Sequence, residues 1–228
     1  MAIAVLSQEF KLLTDSQKLD AMGISPSAVE QAMWKASREY RSASELEPLN
    51  AGGSRASFEA VRTLREALLS MANGWKILNK HGQCLTINPE RGLSILVTSG
   101  DKDTGLVDGQ PKTKNGKGAE TKLQVSANRQ MSFDLFGEPA NQSEEECIDK
   151  QQTWVLLYYF DFVKKEVRFE LSLPVAFQDS GKQGKVKISD WKDRIYFKPI
   201  PLDDAARVNS PSEFNEEPDI EVVPKDDF

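Results

Sequence analysis

The chain is poor in the side chains that most often build metal centres and catalytic triads. Among 228 residues it has one histidine, His81, and two cysteines, Cys84 and Cys147, which lie far apart. A closed zinc site takes four ligands, usually in two close pairs, and this set does not provide them. A single histidine, with no Gly-x-Ser-x-Gly turn elsewhere, is a poor basis for a serine triad. We therefore expect no metal site, no other cofactor and no disulfide framework.

Long apolar runs and targeting signals are also missing. No uninterrupted apolar stretch approaches the roughly 20 residues that span a bilayer. The apolar start, residues 1–6, lacks the basic region of a secretory signal. No G-x-x-x-x-G-K-[ST] phosphate loop occurs. These absences predict a cytoplasmic protein that does not contact a membrane.

Negative charge is concentrated at the C-terminus. The chain has 29 lysines and arginines against 35 aspartates and glutamates, a net charge of −6. Residues 203–228 contain nine acidic and two basic side chains, a net of −7 (2 − 9), which leaves residues 1–202 with +1 (27 − 26). Because this acidic tail also holds Pro211, Pro218 and Pro224 and few large apolar groups, we expect it to be disordered.

The acidic tail ends in Asp226, Asp227 and Phe228. This ending, in its acidic context, resembles the C-terminal tips of bacterial and phage single-stranded-DNA-binding proteins, which recruit replication and repair proteins. The bacterial pattern has a proline before the final phenylalanine, and this chain lacks it. The resemblance implies that these three residues bind a partner protein, through a basic pocket with an apolar floor.

Two patterns in the chain predict an α+β fold. The first 74 residues have a helical hydrophobic period, and we expect helices over 7–13, 24–46 and 57–72, with Gly52 and Gly53 breaking the pattern before the third. Residues 75–202 are typical of strands, which the sequence places at 75–78, 84–87, 93–98, 153–162, 166–173, 186–188 and 194–197. Helices followed by a largely antiparallel sheet make an α+β chain.

Two of these strands allow more detailed predictions. Residues 153–162 are apolar nearly throughout, which indicates a central strand buried on both faces. Residues 166–173 alternate between apolar and polar side chains, and Pro174 is expected to end that strand. Its polar positions, Arg168, Glu170 and Ser172, are typical of a face turned to solvent.

Two irregular segments interrupt the predicted strands. The longer, residues 99–122, carries Lys112, Lys114 and Lys117 among glycines. Glycines let backbone N–H groups approach a phosphate and lysines neutralise it, so these three lysines are candidates for binding single-stranded nucleic acid. The alternative is a solvated loop without a ligand. The second segment, residues 137–152, is an acidic linker.

A divalent-metal nuclease is the enzymatic alternative. Asp161 and Glu170 lie on the two strands of a predicted hairpin, where their carboxylates could share Mg²⁺. A nuclease of the Glu-x-Lys type would place lysine at position 172, where this chain has serine. The other interpretation of this pair is the polar face of a strand, without a metal.

Residues 130–135 form a second candidate for partner binding. This hexapeptide resembles the sliding-clamp-binding peptides of bacterial proteins: Gln130 matches, and Met131, Phe133 and Leu135 occupy the apolar positions. The resemblance implies contact with a replication protein. Packing of the same apolar side chains on the sheet is the alternative.

Together these features favour a non-enzymatic nucleic-acid-associated or adaptor protein of bacterial or phage DNA metabolism. Its body would contact single-stranded nucleic acid or a replication or repair protein, and its acidic tip would recruit a partner. The alternatives are the Mg²⁺-dependent nuclease and a regulatory protein that binds other proteins. The near-neutral charge of residues 1–202 argues against tight, non-specific binding to duplex DNA.

Overall fold

A seven-stranded sheet with helices on both faces forms the body of the protein. The structure, a computed structural model, describes residues 8–80, 82–133, 151–181 and 184–202. The predicted acidic tail, with Asp226, Asp227 and Phe228, lies outside these residues. Most of the 137–152 linker also lies outside them.

The described helices are α1 Gln8–Lys11, α2 Asp15–Met22, α3 Pro26–Arg41, α4 Ala51–Ser70 and α5 Ala119–Phe133. Within the described ranges, no helix combines the length and apolarity that crossing a membrane requires. Four of the helices precede the sheet in sequence, and α5 lies between two of its strands.

The strands are β1 Lys76–Lys80, β2 Gln83–Asn88, β3 Leu93–Ser99, β4 Gln152–Asp161, β5 Glu166–Asp179, β6 Val186–Tyr196 and β7 Ile200–Pro201. The first six follow one another across the sheet in chain order, and β7 pairs with β5. Only the β3–β4 pairing among these is parallel, and the others are antiparallel. The predicted α+β fold, helices first and then a largely antiparallel sheet, is confirmed.

The sheet buries a core on each face. On one face, α2, α3 and α4 pack on alternate residues of β3, β4 and β5, including Trp154, Leu156 and Phe169. On the other face, Val125 of α5 packs with Val155 and Leu157 of β4 and with neighbouring strands. Strand β4 is therefore buried on both faces, as its apolar sequence predicts.

The helical region differs from the prediction in three places. Helix α3 ends at Arg41, five residues before the predicted end at residue 46. Helix α4 begins at Ala51, six residues before Ser57, so Gly52 lies inside a helix. A Cβ on Gly52 would lie 2.7 Å from the carbonyl oxygen of Tyr40, so the glycine allows close packing of α3 on α4. Helix α2 was not predicted because few of its residues are apolar, and a capping box between Thr14 and Gln17 begins it.

The strand predictions were wrong at Pro174. Strand β5 continues through Pro174 to Asp179. The segments 186–188 and 194–197 were expected to supply one or two edge strands, and they belong to the single strand β6. Proline has no backbone N–H and cannot donate a hydrogen bond to the neighbouring strand. The register shifts on both sides of Pro174, so a β-bulge accommodates the proline within β5.

The polar face of β5 is buried, which corrects the expected solvent-facing alternation. Arg168, Glu170 and Ser172 are 3%, 0% and 0% exposed. The segment 100–118, which follows β3 and which we name the cover loop, makes hydrogen bonds with this face at Arg168 and Glu170. The predicted irregular segment 99–122 therefore packs on the sheet, and its last residues begin helix α5.

A buried ion pair holds the cover loop in place. Arg194 on β6 donates to Glu170 at 2.6 Å and to the carbonyl oxygens of Gly109 at 2.7 Å and Leu106 at 3.1 Å. The N–H of Gly105 donates to the same glutamate at 3.0 Å. Gly105 has a φ of +71°, a conformation that favours glycine.

We expect Glu170→Gln to lower the free energy of unfolding by roughly 3 kcal/mol, because it leaves Arg194 charged and without its buried partner. Glu66→Gln is the matched control, since the pairs of Glu66 with Arg62 and Lys35 are solvent-exposed. Urea denaturation of both variants measures the difference. Equal, small losses of stability would contradict a central role for the Glu170–Arg194 pair.

Candidate functional site: two cavities at the free edge of the sheet

A large concave site lies where α4 meets the β1 edge of the sheet. It is a cavity of about 780 Å³, which we name the α4 cavity. Residues 116–121, at the end of the cover loop and the start of α5, close one side. Most of its wall is apolar, with contributions from Phe58, Val61, Leu69, Ile77, Leu96 and Val97. A mainly apolar concavity with a few polar groups is the usual form of a ligand site.

Helix α4 supplies two apolar stripes, and only one of them enters the core. Ala60, Leu64 and Leu68 are buried against the sheet. A neighbouring stripe contains Phe58 and Leu69, which line the α4 cavity and are 74% and 39% exposed. A helix of this length needs one apolar stripe to pack on the sheet, so the second stripe is available to a ligand.

Strand β1 is an edge strand. Among the described residues it pairs with β2 on one side and with no strand on the other. Ile77, in the middle of β1, is 50% exposed and lines the α4 cavity. An edge strand presents backbone N–H and C=O groups that can pair with an added strand.

A second cavity lies on the opposite side of β1, against helix α5. It measures about 420 Å³, and we name it the α5 cavity. Leu78, the residue after Ile77, lines it together with Leu123 of α5 and Gln151. Gln151 is only 4% exposed, and among the described residues neither of its side-chain amide atoms has a hydrogen-bond partner. Because buried amides are normally satisfied, this side chain is suited to pairing with a polar group of a ligand.

The charges around the α4 cavity largely balance one another. Arg62 forms ion pairs with Glu59 at 2.6 Å and Glu66 at 3.1 Å. Arg65 donates to the side chain of Asn79 at 2.9 Å and to the carbonyl oxygen of Leu85 at 3.0 Å. These partners neutralise or orient the two guanidinium groups, so the cavity is not a strongly positive surface.

Lys117 points into the protein. Its backbone pairs with Val186, and its ammonium donates to the hydroxyl of Thr98 at 2.5 Å beside the α4 cavity. Burial lowers the pKa of Lys117 from 10.5 to about 8. The side chain therefore contributes a polar group to the cavity wall.

The other two lysines of the predicted nucleic-acid site lie on the outer side of the cover loop. Thr113 is fully buried, and its N–H donates to the carbonyl oxygen of Ile188. Its neighbours differ in exposure, since Lys114 is exposed and Lys112 is half-buried. The structure thus separates Lys117 from Lys112 and Lys114 and does not present the three as one solvent-facing group.

The two carboxylates of the nuclease hypothesis are not brought together. Asp161 is opposite Glu166, whereas Glu170 is opposite Leu157, four residues further along β5. At about 3.3 Å per residue this separates them by roughly 13 Å, too far to share one cation. In the part of the chain that the structure describes, no group of three or more His, Cys, Asp or Glu residues is placed to hold a metal ion.

Asp161 instead stabilises the β4–β5 turn. It accepts hydrogen bonds from the backbone N–H groups of Lys164 and Val163 and from Arg168 at 3.0 Å. The hydrogen bond from Lys164 and the nearby charge of Arg168 lower its pKa despite some burial. These contacts favour the charged form of Asp161 and hold it in the turn without a metal.

The clamp-like hexapeptide is helical where it is described. Gln130 and Met131 belong to the last turn of α5, and Phe133 is its final residue. Leu135 lies outside the described residues. The predicted contact with a replication protein stays a prediction, and an extended peptide is not the conformation of its first four residues.

The sequence did not predict the two cavities, because their walls combine α4, α5, the cover loop and four strands. The only local signal was the pair of apolar stripes on α4. No protein-family model, curated protein or solved structure matches the chain. Function is therefore inferred from the geometry of the β1 edge.

The low pKa of Lys117 predicts a pH dependence of stability. Between about pH 8 and 10.5 the folded protein holds Lys117 neutral while the unfolded chain protonates it, so unfolding takes up a proton and stability rises with pH. Lys117→Met removes this term. We expect the wild type to gain stability relative to Lys117→Met between about pH 7.5 and 9.5, measured by urea denaturation. A constant difference between the two proteins would contradict the burial of the charge.

Proposed function

We propose that the protein is a non-enzymatic adaptor that binds an extended segment of a partner protein by adding it to strand β1. One observation carries the proposal: an edge strand without a neighbour among the described residues has a cavity on each of its two sides. Strand addition is a common mode of peptide recognition, in which main-chain hydrogen bonds give affinity and pockets for alternate side chains give specificity.

The spacing of the two cavities fits a strand. Successive side chains of a strand point to opposite faces of the sheet. Ile77 faces the α4 cavity, and Leu78 faces the α5 cavity. A partner strand paired with β1 would therefore place one side chain in the α4 cavity and the next in the α5 cavity.

The cavities differ in chemistry, which defines the partner. The α4 cavity, with its apolar walls, fits a large apolar or aromatic side chain. The α5 cavity presents the Gln151 amide and fits a polar side chain that both donates and accepts hydrogen bonds. Lys76 at the start of β1 favours an acidic residue beside this pair.

The balanced charge of the α4 cavity favours protein over nucleic acid as its ligand. A phosphate backbone is bound by lysines and arginines that release counterions, whereas Arg62 is already paired with two glutamates. The connection to bacterial or phage DNA metabolism rests on the resemblance of the acidic tip to single-stranded-DNA-binding proteins.

Peptide selection tests the proposal. We expect full-length protein, screened against a displayed library of random peptides, to select an apolar residue directly followed by a polar one, with an acidic residue beside this pair. Phe58→Ala should weaken binding of a selected peptide about tenfold or more, because it removes an exposed ring from the α4 cavity. Phe162→Ala is the matched control, since Phe162 is also exposed but is outside this cavity. Fluorescence anisotropy gives both affinities.

Three results would contradict the proposal. The first is a set of selected peptides without the alternating pattern, and the second is equal affinity of the Phe58→Ala and Phe162→Ala variants. The third is a protein that selects no peptide and instead forms a dimer through β1. Light scattering would detect this dimer, and Ile77→Lys would dissociate it. In that case a second copy of the chain would be the occupant of the edge.

The acidic tip offers a second, independent contact. Its terminal ring and the two aspartates combine apolar burial with charge-assisted hydrogen bonds to a partner. Deletion of Phe228 should weaken binding of any partner that uses the tip by more than about tenfold, the scale of a hot-spot residue, while thermal unfolding stays unchanged. Quantitative comparison of the proteins recovered by full-length and Phe228-deleted baits checks this, and identical recovery would show that the tip is not a binding element.

A further inference from the structure

A third cavity, which the proposed adaptor function does not use, lies on the face of the sheet that α2, α3 and α4 cover. It measures about 250 Å³ and is lined by Phe10, Lys11, Lys18, Trp154, Lys192 and Asp193, among others. We name it the Lys192 cavity. Its residues come from α1, α2, β4 and β6, which are distant in sequence.

A β-bulge brings two successive residues of β6 into this cavity. Leu173 pairs with Asp193, and Pro174 pairs with Trp191, so Lys192 has no cross-strand partner. In a regular strand Lys192 and Asp193 would point to opposite faces. The bulge changes this alternation, and both residues line the same cavity.

Positive charge in the cavity exceeds negative charge. Three lysines face one aspartate, a net of +2 (3 − 1). Asp193 is already engaged, because it accepts a hydrogen bond from the Lys18 ammonium at 2.7 Å in a mostly buried ion pair. Burial lowers the pKa of Lys192, and the charge of Lys11 lowers it further. Two lysines are thus held close enough to repel each other, and the described lining residues include no second carboxylate.

The lining also contains a buried donor without an acceptor. Trp154 is fully buried, and its indole N–H has no hydrogen-bond partner in the structure. Phe10 packs edge-on against the Trp154 ring at 6.2 Å, which fixes its orientation. Buried N–H groups are normally satisfied, so an unpaired indole in the wall of a positive cavity points to an acceptor that is not part of the described chain.

We propose that the Lys192 cavity binds a small oxyanion of the phosphate type. Its lining offers ammonium and indole donors, and its one carboxylate is occupied by Lys18, so a ligand rich in acceptors and negative charge is the complement. The volume suits a phosphate group rather than a large molecule. Such an ion offsets the repulsion between Lys11 and Lys192. This site is separate from the β1 edge and does not depend on the adaptor function.

Calorimetry of the full-length protein with inorganic phosphate, at constant ionic strength set by chloride, tests the proposal. We expect saturable binding and a phosphate-dependent rise in melting temperature. Lys192→Met should weaken binding about tenfold or more, because it removes one charged donor. Lys187→Met is the matched control, since Lys187 is on the same strand and is outside the cavity.

Two further measurements complete the test. Lys11 is exposed on α1, so Lys11→Met should weaken phosphate binding without loss of fold. This variant decides the outcome if Lys192→Met is unstable. The second measurement is competition between phosphate and a short single-stranded oligonucleotide. Competition would identify the natural ligand as a phosphate of nucleic acid, and absence of competition would identify it as a free phosphate. No saturable phosphate binding, or equal weakening by Lys187→Met, would overturn the proposal.

Discussion

The buried ion pair between Glu170 and Arg194 is the interaction on which the functional edge of the sheet depends. It joins β5 to β6 and, through Gly105, Leu106 and Gly109, holds the cover loop against a polar strand face. A buried charge is costly unless it is paired and fully hydrogen-bonded, and the cover loop supplies those additional bonds. The loop in turn delivers Lys117 and the first turn of α5 to the cavity walls.

The candidate sites occur where the regular β-ladder ends or breaks. Among the described strands the sheet ends at β1, whose outer edge lies between two cavities. At Lys192 the ladder is interrupted opposite Pro174, and a bulge gathers charges that a regular strand would separate. The continuous middle of the sheet, by contrast, is covered by apolar packing on both faces and serves stability.

The two kinds of site differ in whether their arginine and lysine side chains have carboxylate partners. Arg62 beside the α4 cavity has glutamate partners, which leaves apolar surface as the main source of binding energy there. Lys11 and Lys192 share a cavity in which the one carboxylate among the described lining residues already binds Lys18. The first arrangement suits a protein segment with an apolar anchor, and the second suits a small anion.

Hydrophobic periodicity was sufficient to predict the α+β class, the central position of strand 153–162 and most helices, because period reports which side chains of one element face the core. It misassigned Glu170 to a solvent face, and it did not indicate that Lys117 donates to Thr98 beside the α4 cavity. Both depend on where the cover loop packs, and that is decided by hydrogen bonds among residues about 65 to 90 positions apart in the chain. Local sequence determined each element, and only the tertiary structure decided which polar side chains were buried and where the sheet was left open.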